Sequence, residues 1–128
     1  MPCPCGLPED YDACCGMFHS GKANAPTAQR LMRSRYCAFV KQDIRYLKET
    51  TWPAQQKHFD EAGYAARAAD SIWLGLTVHA TEEGSETDVR GTVTFTAKSM
   101  VNGVIDDHTE KSLFKKKSGN WFYVKAVA

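Results

Sequence analysis

The chain opens with MPCPCGLPEDYDACCGMFH, residues 1–19, and this stretch holds four of the five cysteines of the 128-residue sequence. They follow the pattern C-x-C-x8-C-C and are Cys3, Cys5, Cys14 and Cys15. A segment this short has few apolar side chains to bury, so burial alone cannot offset the entropy of ordering its backbone. Four thiolates around a zinc ion would supply the missing stabilisation, because metal binding drives folding in small sites. The spacing therefore predicts a structural zinc site.

Disulfide bonds or free thiols are the alternative use of these cysteines. The odd number of cysteines, and an N-terminus without an apolar signal segment, favour a reducing cytoplasmic setting over a disulfide framework. His19 is an alternative fourth ligand in place of Cys15. Cys37 stands alone and far from the motif, and we expect it to be a small buried residue rather than a fifth ligand.

The cysteine spacing resembles the SEC-C zinc motif, known from the C-terminus of the bacterial preprotein-translocase motor and from many small bacterial proteins. The resemblance implies that the same four cysteines are the ligands, in a closed site that does no chemistry. The translocase motif is basic and is associated with binding a chaperone and the ribosome. Here Glu9, Asp10 and Asp12 replace its lysines. Phosphate is repelled by such charge, so we expect no direct nucleic-acid binding by the motif, and instead a protein partner with a basic surface.

The next part of the chain has the apolar spacing of helices. Thr27 is a suitable N-cap for a helix that ends near Lys41 and has an apolar stripe along residues 31–40. A short helix is predicted over residues 44–49, and a third helix from Pro53 to about Asp70. No stretch has the length and apolar content of a membrane span.

From residue 71 the apolar period changes to two, which indicates strands. Turn signals at residues 82–85, 102–103 and 118–120 divide this part into four strands. Helices followed by an antiparallel meander predict an α+β fold. The order is similar to the cystatin-like cone of nuclear transport factor 2. We therefore expect a zinc knob at residues 1–21, then a cone at residues 27–128 with about three helices packed on a curved four-stranded antiparallel sheet.

Nearly the whole chain also resembles the YchJ-like family of bacterial proteins, which join a SEC-C motif to such a cone. The similar stretches are LMRSRYCAFV at 31–40, YL at 46–47, TW at 51–52, WLGLTV at 73–78 and GNWFY at 119–123. The resemblance implies the fold and the metal site. It implies no activity, because none is established for the family.

A cone of this type encloses a pocket between its helices and its sheet. The candidate pocket residues are Arg35, Tyr36, Trp52, Trp73, His108 and Glu110. His108 and Glu110 share one face of the third strand and would suit a general base and its orienting carboxylate. Alternating polar residues are equally typical of the solvated face of a sheet, and Glu110 would also suit an ion pair with Arg35. The sequence favours a cytoplasmic, non-enzymatic adaptor or protein-interaction module with structural zinc; the alternative is a small-ligand binder or enzyme that uses the pocket.

Overall fold

A computed structural model describes residues 2–128. The α-helices are α1 (Cys15–His19), α2 (Ala28–Lys41), α3 (Ile44–Glu49) and α4 (Glu61–Asp70), with 3₁₀ helices at Tyr11–Ala13 and Pro53–His58. The strands are β1 (Ile72–Glu83), β2 (Arg90–Val101), β3 (Val104–Lys117) and β4 (Asn120–Ala126). They form one antiparallel sheet in the order β1-β2-β3-β4. The predicted α+β class, with a cysteine cluster before a four-stranded antiparallel sheet, is confirmed. No helix of the described residues is long and apolar enough to cross a membrane.

Helix α2 is the central element of the helical layer. Its cap is the predicted one, because the Thr27 hydroxyl accepts a hydrogen bond of 3.1 Å from the backbone N–H of Arg30. The helix ends where Gln42 adopts a left-handed conformation. Its apolar side packs with the inner face of the sheet, where Val93 and Phe114 are fully buried. This packing fixes α2 over the inner face of the sheet.

The helix expected to run from Pro53 to Asp70 is wrong in its extent. The 3₁₀ helix ends at His58, and α4 begins only at Glu61. The reason is local: the Asp60 carboxylate accepts a hydrogen bond of 3.0 Å from the N–H of Gly63, which makes Asp60 an N-cap. The two segments are therefore separate elements.

The two edges of the sheet differ. Strand β1 has register shifts between Trp73 and Gly75 and again between Val78 and Ala80. The first shift ends the expected alternation, since Trp73 packs on the core while Leu74 is 44% exposed. The free edge of β4 is paired by the segment after α3, because Tyr123 exchanges backbone hydrogen bonds with Thr50 and Trp52, both 2.8 Å long.

Candidate functional site

The four cysteines of the motif lie together and are buried. The Sγ atoms of Cys3, Cys5, Cys14 and Cys15 all lie within 4.8 Å of one another. Two of them, on Cys5 and Cys14, are 3.7 Å apart. A tetrahedral zinc ion with Zn–S bonds of about 2.3 Å places its sulfurs about 3.8 Å apart. The donor set therefore fits a soft divalent metal ion.

The local backbone of the motif needs its glycines. Gly6 follows Cys5 with a φ of 96°, a conformation that glycine adopts without strain, and its N–H donates to the carbonyl of Cys3 over 3.1 Å. Gly16 follows Cys15, and a Cβ at this position would lie 2.7 Å from the carbonyl oxygen of Tyr11. Each glycine thus permits the tight chain path that brings a cysteine into the cluster.

His19 is engaged at both ring nitrogens. The Tyr11 hydroxyl lies 2.6 Å from Nδ1, and Nε2 lies 2.8 Å from the carbonyl oxygen of Ser34, so Nε2 is the protonated nitrogen. Burial lowers the pKa of this imidazole, which keeps it neutral. This arrangement favours Cys15 over His19 as the fourth ligand, and gives His19 the role of joining the motif to α2.

Cys37 lies against the cluster, so the expectation that it is remote from the motif is wrong. It is fully buried, as expected, but its Sγ is 3.4 Å from that of Cys3 because α2 packs directly on the motif. Hydrogen bonding, mainly from Cys15, lowers the pKa of Cys5 to about 5. The lowered pKa favours the thiolate form of Cys5, which is the form that a metal ligand takes.

Three of the four basic residues of α2 face the motif, and the fourth, Arg35, does not. Arg33 Nη1 donates to the carbonyl of Cys5 over 2.7 Å, and Arg30 Nη2 lies 3.8 Å from the Sγ of Cys14. Lys41 Nζ lies 4.4 Å from the centre of the Tyr11 ring. These cations would offset, within the molecule, the negative charge that thiolate ligands bring to the motif.

A second site is a cavity of about 100 Å³ between α2, α4 and the inner face of the sheet. Its lining includes five of the six candidate pocket residues, namely Arg35, Tyr36, Trp73, His108 and Glu110. Trp52 is not among the lining residues. Its ring instead lies edge-on to Phe122, 6.1 Å between centroids, beside Lys115 and Lys117.

Glu110 is the centre of a polar network on the cavity wall. His108 Nε2 lies 3.0 Å from its Oε1, the Tyr123 hydroxyl donates to Oε2 over 3.2 Å, and the Ser112 hydroxyl donates to the same oxygen. Burial alone would raise the pKa of this carboxyl, but these hydrogen bonds outweigh burial and lower it. Glu110 is therefore an anion at neutral pH.

The alternative of a solvated face is wrong for Glu110, whose side chain is 16% exposed, whereas the His108 side chain is 43% exposed. They share their face of β3 with Phe114, which is buried against the helices. Sequence reasoning missed Ser112, although it has the same alternation as Glu110. It also missed Tyr123, which depends on the pairing of β4 with β3, where Tyr123 stands opposite Phe114.

Arg35 is buried in the cavity wall with neutral partners. Its Nη1 donates to the carbonyl of Leu47 over 2.8 Å and to the Thr50 hydroxyl over 2.7 Å, and the guanidinium lies 4.7 Å from the centre of the Tyr123 ring. Burial lowers its pKa. Within residues 2–128 no carboxylate lies within 4.0 Å of this guanidinium, so the suggested ion pair with Glu110 does not form.

The fold and the cysteine cluster agree with what comparison with known proteins shows. The family described as YchJ, middle NTF2-like domain, matches residues 27–126. The chain belongs to the YchJ-like family. A UPF0225 protein of Streptomyces avermitilis is 49% identical over 122 residues, which cover 95% of this chain and 81% of that protein. A UPF0225 protein of Actinobacillus succinogenes is 40% identical over 125 residues, covering 98% and 80%.

Two solved structures are similar over nearly all of this chain. The solution structure of a SEC-C motif containing protein from Rhodopseudomonas palustris has a TM-score of 0.91 at 36% identity, and the match covers 100% of this chain and 98% of that one. The crystal structure of a SEC-C motif containing protein from Psychrobacter arcticus has a TM-score of 0.86 at 30% identity, covering 98% and 81%. The expected union of a SEC-C motif with an NTF2-like domain is thus confirmed.

Proposed function

We propose that this protein binds a small ligand in the cavity of its cone, and that its cysteine motif holds a structural zinc ion. The main support is the polar network in which three donors hold the Glu110 carboxylate on an otherwise largely aromatic wall. Sites for small molecules combine an apolar lining with a few precisely placed polar groups. A histidine oriented by a carboxylate also suits a general base, so His108 would serve proton transfer on a bound substrate.

Zinc is the proposed metal because four buried thiolates are typical of its structural sites. Such a site is closed, so the metal acts on folding and not on the ligand. None of the five cysteines is in a disulfide, which supports the reducing cytoplasm as the proposed location.

Ligand binding is tested by nuclear magnetic resonance on the metal-loaded full chain with a set of small acids, amides, amines and sugars. We expect at least one class to shift the resonances of Trp73 and Ala97, which line the cavity, and to leave those of the exposed Val104 unchanged. Ala97→Leu fills the cavity and should abolish the shifts. The matched control Ala80→Leu, at an exposed position of β1, should retain them. Shifts absent for every class, or unaffected by Ala97→Leu, would exclude the proposed site.

A second candidate function is the protein-binding role of an adaptor. Glu9, Asp10 and Asp12 are all exposed on the motif, and their charge favours a partner with a basic surface. Such attraction is screened over roughly 8 Å at physiological salt, so the contact has to be close.

Reversal of these three charges to lysine tests the role of the acidic surface. We expect weak or no RNA binding by the native protein, and measurable binding by the triple variant that weakens with added salt. The readout is fluorescence polarisation with a labelled single-stranded RNA. Tight binding of RNA by the native chain, lost when zinc is removed, would refute the acidic-surface interpretation.

A further inference from the structure

The cavity contains a buried cation that forms no salt bridge within residues 2–128, although the Glu110 carboxylate acts on it through space. Arg35 is 7% exposed, and both of its hydrogen bonds come from Nη1 and end on neutral oxygens. An arginine side chain stays protonated in proteins, so its positive charge is retained in the wall. Buried charges are normally paired, because a lone ion loses the solvation that water gave it. The guanidinium is therefore suited to an anion that enters the cavity.

The carboxylate on the same cavity wall does not supply that anion. Glu110 is occupied by His108, Ser112 and Tyr123, which satisfy both of its oxygens. It forms no salt bridge with Arg35, as described above. The Glu110 carboxylate is thus hydrogen-bonded by side chains of strands β3 and β4 and not by Arg35.

A second unused donor belongs to a residue that lines the cavity. The indole Nε1 of Trp73 is buried and has no hydrogen-bond partner within residues 2–128. The Trp73 ring lines the cavity, packed edge-on to Tyr36 and at 5.3 Å from the Phe39 ring. Buried N–H groups without a partner are rare in native proteins, and each calls for an acceptor. A ligand with an acceptor oxygen would supply it.

We propose that the ligand is a small organic acid whose carboxylate accepts hydrogen bonds from Arg35 and from the indole N–H of Trp73. The inference rests on the proposed ligand-binding function and adds the chemical class of the ligand. A carboxylate matches a guanidinium with two oxygens in one plane and still has lone pairs for a second donor. Arg67, exposed at the rim and stacked at 5.5 Å over Phe39, adds attraction for an anion.

The size and lining of the cavity limit the rest of the ligand. Its volume of about 100 Å³ is smaller than the cavity of about 150 Å³ that holds benzene in an engineered protein. Met32, Phe95 and Phe114 line the remainder, so an apolar body of a few carbon atoms fits better than a polar one. A short-chain carboxylic acid meets both conditions, whereas inorganic phosphate has no apolar part.

The test compares four probes on the metal-loaded full chain: propionate, propionamide, propylammonium and inorganic phosphate. The first three share a three-carbon skeleton and differ mainly in the head group. We expect propionate to bind at least about tenfold more tightly than propionamide, because a charge-assisted hydrogen bond is roughly twice as strong as a neutral one. The readout is the backbone amide resonance of Ala97, which lines the cavity and is present in every variant; in the native chain propionate should also shift the indole N–H resonance of Trp73 strongly.

Two variants test the contributions of the Trp73 indole N–H and the Arg35 guanidinium separately. Trp73→Phe removes the indole N–H and should weaken propionate binding about tenfold, while Trp52→Phe, outside the cavity, should leave it unchanged. Arg35→Gln should abolish the preference for propionate over propionamide; if that variant does not fold, the Trp73→Phe result and the probe series still decide.

Several outcomes would overturn the inference. Equal binding of propionate and propionamide, or a preference for propylammonium, would exclude the acid and leave a small-ligand site in place. Preference for phosphate would replace the organic acid by an inorganic anion. The absence of a shift with all four probes would also overturn the proposal of an organic acid. The nuclear magnetic resonance series with acids, amides, amines and sugars, and its Ala97→Leu variant, would then decide whether the cavity binds any small ligand.

Discussion

Cys14→Ser is expected to abolish stoichiometric zinc binding and to lower the thermal midpoint of unfolding by about 10 °C. A serine hydroxyl is a poor replacement for a thiolate, and structural zinc contributes roughly 10–16 kcal/mol of binding free energy to small motifs at neutral pH. We expect the whole chain to lose about 3 kcal/mol of its free energy of unfolding. For a domain of this length, that loss lowers the thermal midpoint by about 10 °C. Metal analysis and circular dichroism on heating measure the two effects.

Cys37→Ser is the control for that experiment. It removes a thiol that contacts Cys3 but is not one of the four clustered ligands, so one zinc per chain should remain. Full zinc retention in Cys15→Ser would instead point to a replacement ligand: Cys37, whose thiol already contacts Cys3, or His19, which would have to leave its hydrogen bonds to Tyr11 and Ser34. The double variant Cys15→Ser with Cys37→Ser distinguishes the two. Zinc retained in Cys14→Ser would contradict the four-cysteine site itself.

Deletion of residues 1–21 is expected to leave a cone that unfolds cooperatively but is several kcal/mol less stable. It keeps the main core, which includes Leu31, Val93 and Phe114. It removes His19, whose Nε2 donates to the carbonyl of Ser34, and it exposes Cys37. Loss of a partner for a buried carbonyl costs about 1–3 kcal/mol, and the lost packing adds to that. Urea unfolding followed by tryptophan fluorescence measures the difference.

The matched control carries Cys37→Ser in the deleted chain, so that oxidation of a newly exposed thiol does not obscure the result. A broad, non-cooperative transition in both deleted chains would show that the motif is part of one folding unit with α2. A sharp transition would support the boundary between residues 1–21 and 27–128.

What could be predicted from the sequence is mainly what neighbouring residues determine. The cysteine spacing, the Thr27 cap and the Asn102-Gly103 turn each depend on a few adjacent positions, and the structure contains all three. Their physical causes are metal geometry, an N-cap hydrogen bond and two residues with positive φ. None requires knowledge of the tertiary packing.

The features that were missed depend on contacts between distant parts of the chain. Cys37 reaches the cluster only because α2 lies on the motif, a placement that no local pattern encodes. The inner position of Glu110 follows from how β3 pairs with its neighbours, and the register shift near Gly75 breaks the alternation of β1. The helix start at Glu61 is the exception, since Asp60 three residues before Gly63 is a local signal that was not used.

The pairing of Tyr123 with Thr50 and Trp52 has a consequence for self-association through strands. An exposed sheet edge with regularly spaced N–H and C=O groups is a template for another chain, and aggregation begins at such edges. The segment after α3 occupies that template at Tyr123, near the middle of β4, and the two register shifts of β1 disturb its spacing on the opposite side. The sheet of this small protein is therefore protected at both ends against growth by strand addition, by coverage on one side and by irregularity on the other.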